Sequence, residues 1–98
     1  MASSKNYRDY ILEQLSEVVP NISCRPMMGE FLLYSGGILF GGIYDDRLLV
    51  KIVPKNEKFQ MPEAIPYPGG KPMYLVEDMD DKEKLTEIIS ATVESLKQ

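Results

Sequence analysis

The residues of this chain best equipped for chemistry are one thiol, fifteen carboxylates and six tyrosines. Cys24 precedes Arg25, and a neighbouring guanidinium favours a thiolate. A nucleophilic mechanism also needs a base, and the chain contains no His to serve as one. A small thiol inside a strand reads instead as a buried apolar group. Asp45-Asp46 reads as a hairpin tip, where Asp is a common turn former, and no carboxylate pair is spaced to converge in a cleft. Five acids crowd into the seven residues from Glu77 to Glu83. They do not alternate as calcium ligands do, whereas negative charge at a helix start is favoured by the macrodipole. One Cys and no His provide neither a disulfide framework nor structural zinc. The pairs Gly36-Gly37, Gly41-Gly42 and Gly69-Gly70 match no phosphate-cradling glycine motif. The tyrosines lack the interleaved cations of a base-stacking surface. The expectation is a non-enzyme with no catalytic residue, cofactor or metal.

The elements that must position these side chains are marked by periodicity. Tyr7, Tyr10, Ile11, Leu15 and Val18 recur at three- and four-residue steps and predict an amphipathic helix, capped by Ser3 or Ser4 and ended by Pro20-Asn21. Four extended runs follow, over Ile22 to Met28, Glu30 to Tyr34, Ile38 to Tyr44 and Arg47 to Val53. Gly36-Gly37 and Asp45-Asp46 supply turns too short for a parallel crossover, so these strands are antiparallel. Pro26 suits an edge. Pro54, Pro62, Pro66, Pro68 and Gly69-Gly70 predict an irregular connection, with a helical turn or two over Asn56 to Ala64. Lys71 to Glu77 reads as a fifth strand. Asp80 and Glu83 then form a capping pair ahead of a second stripe, Leu85, Ile88, Ile89, Thr92, Val93 and Leu96. The predicted fold is α+β: two layers, an antiparallel sheet of about five strands flanked by N- and C-terminal helices, in one domain spanning 1–98.

Ninety-eight residues suit one core, and 44% hydrophobic with 27% charged residues is a globular composition. The start carries no apolar leader, no run approaches a membrane span, and a lone thiol fits a reducing compartment. A cytoplasmic protein without a membrane role is expected. The net charge is −4 and no basic stripe is visible, so direct nucleic-acid binding is not expected.

The strands carry apolar residues on both faces. Leu48, Val50 and Ile52 alternate with Arg47, Leu49, Lys51 and Val53; Phe31 and Leu33 oppose Leu32 and Tyr34; Ile38 and Phe40 oppose Leu39 and Ile43. Two helices can cover one face. The other calls for either the chain's own Phe59, Met61, Ile65 and Tyr67 or a second protein chain.

Arg25-Pro26-Met27-Met28-Gly29, Leu33-Tyr34, Gly37, Phe40-Gly41, Asp45-Asp46-Arg47-Leu48, Lys51 and Lys71-Pro72-Met73-Tyr74 together resemble the N-terminal domain of the TfoX (Sxy) competence regulators, over nearly the whole chain. Met28 and Glu30 depart from that family's pattern, which has an aromatic and a second glycine there. The resemblance implies a secretion-chaperone-like α+β domain, a role in regulating competence genes, and a stand-alone version without the helical C-terminal domain. It carries over no catalytic residue. The expected interaction surface is Arg25, Met27, Met28, Gly29, Tyr34, Leu49, Lys51 and Tyr74. Through it the chain would act as a regulatory or protein-interaction module, engaging a protein partner or a second copy of itself. The alternative is a small-ligand domain with a Met/Tyr-lined pocket between the sheet and the 54–70 segment.

Overall fold

Ser4 opens the first helix in an extended conformation, and its hydroxyl accepts the Tyr7 backbone N–H at 3.1 Å, satisfying one of the helix's orphan donors. The computed structural model describes residues 4–19, 21–77 and 79–97. Ser3, Pro20 and Asp78, singled out above as cap, helix stop and part of the acidic run, lie outside them.

Helix α1 spans Lys5–Ser16 and buries Ile11 and Leu15. Tyr10 departs from the expected stripe and stays exposed, while Val19 is buried in its stead. The strands β1 (Ile22–Met27), β2 (Glu30–Ser35), β3 (Ile38–Ile43) and β4 (Leu48–Val50) follow as an antiparallel meander. A 3-10 helix, Pro54–Phe59, leads to β5 (Glu63–Ala64) and then β6 (Met73–Leu75). Helix α2, Lys82–Leu96, closes the fold. The sheet order is β1-β2-β3-β4-β6-β5, because β6 inserts between β4 and the short edge strand β5. The expected architecture is therefore present with six strands, one of them only two residues long.

Element bounds differ from those expected, and the expected fifth strand, Lys71 to Glu77, is reduced to β6, Met73–Leu75. The fourth strand stops at Val50, not Val53, because the Asn56 side chain takes up the Lys51 carbonyl and the Val53 N–H that a neighbouring strand would otherwise pair. The helical turns begin at Pro54 and end at Gln60, whose φ of 53° is left-handed. Asp81 rather than Asp80 caps α2, accepting the Lys84 N–H at 3.1 Å. Among the described residues no helix is long and apolar enough to cross a membrane.

Both helices pack on one face. Their Ile11, Leu15, Leu85, Ile88, Ile89 and Val93 join Phe31, Leu33, Phe40, Ile43, Leu48 and Val50 in a single core. Full burial of such side chains contributes roughly 1.5–3 kcal/mol each. The register produces two rows across the sheet. Cys24, Leu33, Gly41, Val50 and Tyr74 face the helices; Arg25, Leu32, Gly42, Leu49 and Leu75 face away.

A bulge in β3 changes what each face carries. Tyr34 pairs with Leu39 and Leu33 with Gly41, so Phe40 is the extra residue between them. The insertion shifts the alternation and places both Phe40 and Ile43 in the core. Ile43 is thus corrected from the outer to the inner face. Gly41 makes this possible. A Cβ there would lie 2.2 Å from the Leu49 carbonyl oxygen and 2.9 Å from the Val50 Cα.

All three tight turns of the meander have two left-handed residues, the geometry that matches strand twist. Gly36-Gly37 meets this need directly, and Asp45-Asp46 does so with Asp (φ 52° and 54°). The first turn instead uses Met28, at φ 51°, ahead of Gly29 at 86°. Left-handed backbone costs a Met about 1–2 kcal/mol, and Asn much less. Met28→Asn is expected to raise the urea midpoint at unchanged slope, by about 1 kcal/mol of stability.

Candidate functional site

The outer face of the sheet is built from Leu32, Tyr34, Leu39, Leu49 and Leu75, and the chain covers part of it with its own residues 65–72. Leu49 is 0% exposed although it lies outside the helix-side core. Phe59 and Met61 do not contribute to this cover. They pack on the helix-side core instead, leaving Ile65, Pro66 and Tyr67 for the outer side.

Arg47 anchors the covering segment. Its guanidinium donates to the Tyr44 carbonyl and the Ile65 carbonyl, both at 3.1 Å, tying residue 65 to the β3–β4 hairpin. Downstream, Gly70 N–H donates to the Tyr67 carbonyl at 2.9 Å, with Pro68 and Gly69 between them and Gly69 at φ 86°. That is the residue pattern of a type II turn, which needs a positive φ at its third position. The turn sends Lys71 back toward β6. Tyr44 is placed by a different constraint. It shares a face with Gly42, and a Cβ at Gly42 would meet the Tyr44 ring at 2.8 Å. The ring occupies the space a side chain at position 42 would need, and it meets Tyr67 with centroids 6.2 Å apart at 50°. Tilted pairs of this kind contribute roughly 0.5–1.5 kcal/mol beyond burial.

Between the sheet and this segment runs a groove of about 530 Å³. Leu39, Tyr44, Ile52, Tyr67 and Met73 form its apolar walls, and Lys51 and Lys71 are its charged residues. Lys51 is held on the backbone by two bonds: its N–H donates to the Phe40 carbonyl at 2.9 Å, and its carbonyl accepts from Asn56 Nδ2 at 2.8 Å. The site therefore rests on a fixed strand end.

Of the surface expected from sequence, Arg25, Tyr34 and Lys51 share the outer face, with Arg25 exposed and Tyr34 half-buried. Leu49 shares that face but is fully buried, so it is not open to a partner in this fold. Tyr74 lies opposite, in the helix-side core, because it pairs with Val50. Met27, Met28 and Gly29 form the exposed turn at one end of the sheet. Tyr44, Ile52 and Lys71 were missed as site residues. For Tyr44 the signal was the glycine two residues before it on the same face, and for Lys71 the Pro68-Gly69-Gly70 turn. Strict alternation instead grouped Ile52 with Leu48 and Val50, and the end of β4 at Val50 lets Ile52 line the groove beside Lys51.

Cys24 lies on the helix-facing row and is half-buried. Burial pushes its thiol above the ordinary range; the Arg8 guanidinium opposes this and the Asp9 carboxylate adds to it. Burial likewise raises Tyr7, with smaller contributions from Tyr10 and Asp46, and raises Tyr44, with smaller ones from Tyr67, Glu30 and Tyr34. In each case the folded chain holds a proton that the unfolded chain has released. Stability contributed this way is complete below the unfolded values and declines as pH rises through the folded ones, so the decline starts at roughly pH 8.5 for the thiol and about pH 10 for the tyrosines. Urea midpoints measured from pH 7 to 10.5 are expected to stay level at first and then fall. Thiol-reactive dye should label the native protein at pH 7.5 more slowly than the urea-unfolded chain.

Among the described residues no three His, Cys, Asp or Glu side chains come together to hold a metal ion. Set against models of known protein families and against curated proteins, the chain matches none.

Proposed function

We propose that the protein is a non-enzymatic regulatory binding module, the role implied by its resemblance to TfoX N-terminal domains, and that its ligand docks in the groove between the outer sheet face and residues 65–73. The observation that supports this is the groove itself. Its volume of about 530 Å³ lies in the roughly 300–1,000 Å³ range of small-molecule sites, and its walls are mostly apolar with a few polar groups. The protonated, half-buried thiol and the lack of His favour binding over catalysis. Partner docking across the whole outer face is less well supported, since the chain already buries Leu49 there. A thermal-shift screen against metabolites tests the reading. A ligand at 100 times its dissociation constant adds roughly 2.7 kcal/mol. A shift that disappears in Tyr67→Ala supports the groove, and hits indifferent to that substitution contradict it.

A second reading, self-association through the β1–β2 turn, is favoured by Met28, which is 96% exposed in a left-handed conformation beside exposed Met27. Light scattering at micromolar concentration decides it. A dimer that becomes monomeric in Met28→Asn supports it, and a monomeric parent protein removes it.

A further inference from the structure

In this acidic protein the charged residues of the groove are both cations. The chain carries fifteen acids against eleven bases, yet among the described residues lining the groove the charged ones are Lys51 and Lys71, with no Asp or Glu. Neither ammonium pairs with a carboxylate among the described residues; the ion pairs of Arg8 with Asp9 and of Lys82 with Glu17 lie elsewhere. Beside the two lysines stand the tilted rings of Tyr44 and Tyr67 and the side chains of Ile52 and Met73. Cations with free valence next to aromatic and thioether walls make a two-part recognition surface.

We propose that the groove binds a small organic anion. Its carboxylate, sulfonate or phosphate group is held by Lys51 and Lys71, and its apolar or aromatic body lies against Tyr67 and Met73. Lysine suits the first task because a compact ammonium pairs with an anion of any of these geometries, without the planar match that a guanidinium demands. The Lys51 backbone is already fixed to β3 and to Asn56, which lowers the ordering cost of binding. Tyr67 and Met73 suit the second, since an aromatic ring and a flexible thioether accept varied apolar shapes. Inorganic phosphate would use the cations alone and a neutral arene the walls alone; the proposed ligand uses both.

This inference rests on the groove being the binding site, and the test separates the two claims. The probes are 8-anilinonaphthalene-1-sulfonate and its uncharged parent 1-anilinonaphthalene, titrated by fluorescence into the full chain in low salt. The sulfonate is expected to saturate at one site per chain and bind at least tenfold more tightly than the neutral dye. The double variant Lys51→Gln/Lys71→Gln should weaken the sulfonate at least tenfold and leave the neutral dye within twofold. Lys51→Arg/Lys71→Arg, which keeps both charges, should restore most of the affinity, and Tyr67→Ala should weaken both dyes. If Tyr67→Ala weakens both dyes while the double Gln variant changes neither, the groove stands as a site and the anion claim is overturned. If Tyr67→Ala changes neither dye, or neither dye binds the parent protein, the groove reading itself fails and this inference with it.

Discussion

Asn56→Ala is expected to lower the folding stability by about 3 kcal/mol, read as a fall in the urea midpoint. Asn56 is 0% exposed, and all its polar atoms are engaged. Oδ1 accepts the Val53 N–H at 3.1 Å, while Nδ2 donates to the Lys51 carbonyl at 2.8 Å and to Thr92 Oγ1 at 2.9 Å. Thr92 in turn donates to the Ile88 carbonyl at 2.8 Å, so the network ties the 3-10 helix to α2. Only this amide orientation works, because flipping it would set Oδ1 against the Lys51 carbonyl and Nδ2 against the Val53 N–H. Truncation orphans the Val53 N–H in the interior, at roughly 1–3 kcal/mol, and the part-buried Lys51 C=O at a smaller cost, and it removes the bond to Thr92, against a total stability of about 5–15 kcal/mol for a domain. A melting point lowered by roughly 12–24 °C is the corresponding thermal result. Thr92→Val removes two bonds from the same network, the one accepted from Asn56 Nδ2 and the one donated to the Ile88 carbonyl, and should cost about 1–2 kcal/mol because the Ile88 carbonyl keeps its helix partner. The two effects should be non-additive, since both substitutions break the Asn56–Thr92 bond. Additive effects would show that the amide and the hydroxyl act independently.

Gly41→Ala is expected to be as severe, by a different mechanism. The added methyl would stand 2.2 Å from the Leu49 oxygen, 2.9 Å from Val50 Cα and 3.2 Å from the Leu49 carbonyl carbon. All three are backbone atoms of the adjacent strand, so no side-chain rotation relieves the clash. β3 and β4 must separate where Gly41 pairs with Val50, which disturbs both the core and a wall of the groove. A loss of about 3 kcal/mol or more, or failure to fold, follows from overpacking of this kind. Gly36→Asn is the control. Gly36 has φ 56° and nothing within 4 Å of where a Cβ would stand, and Asn is favoured at the first position of such a turn. Its effect should stay within about 0.5 kcal/mol. Equal tolerance at positions 36 and 41 would contradict the close approach of β3 and β4.

Local rules made much of this fold legible. The Ser4 cap, the Ile11 and Leu15 stripe, the α2 stripe and the two-residue turns at 36–37 and 45–46 depend on neighbours in sequence, and each is where the residues place it. Long-range events were not legible. A single extra residue at Phe40 carries Ile43 to the helix side, which makes the outer face less apolar than strict alternation suggests. Asn56 ends β4 through contacts to residues 51, 53 and 92, and no local pattern announces that. β5, with two residues, is too short to leave a periodic trace. The candidate site was half visible. Lys51 and Tyr34 could be assigned to the outer face from strand alternation, whereas the pairing of Tyr44 with Tyr67 depends on Arg47 reaching the Ile65 carbonyl, eighteen residues on.

The most direct test of the groove as binding site is a residue-resolved map. Amide nitrogen–proton NMR spectra of the full chain would be recorded while 8-anilinonaphthalene-1-sulfonate is added to saturation. The groove account predicts that shifts concentrate at Lys51, Ile52, Tyr67, Gly70, Lys71 and Met73. Shifts gathered at Met27 to Gly29 or along α2, with the groove residues unmoved, would contradict it.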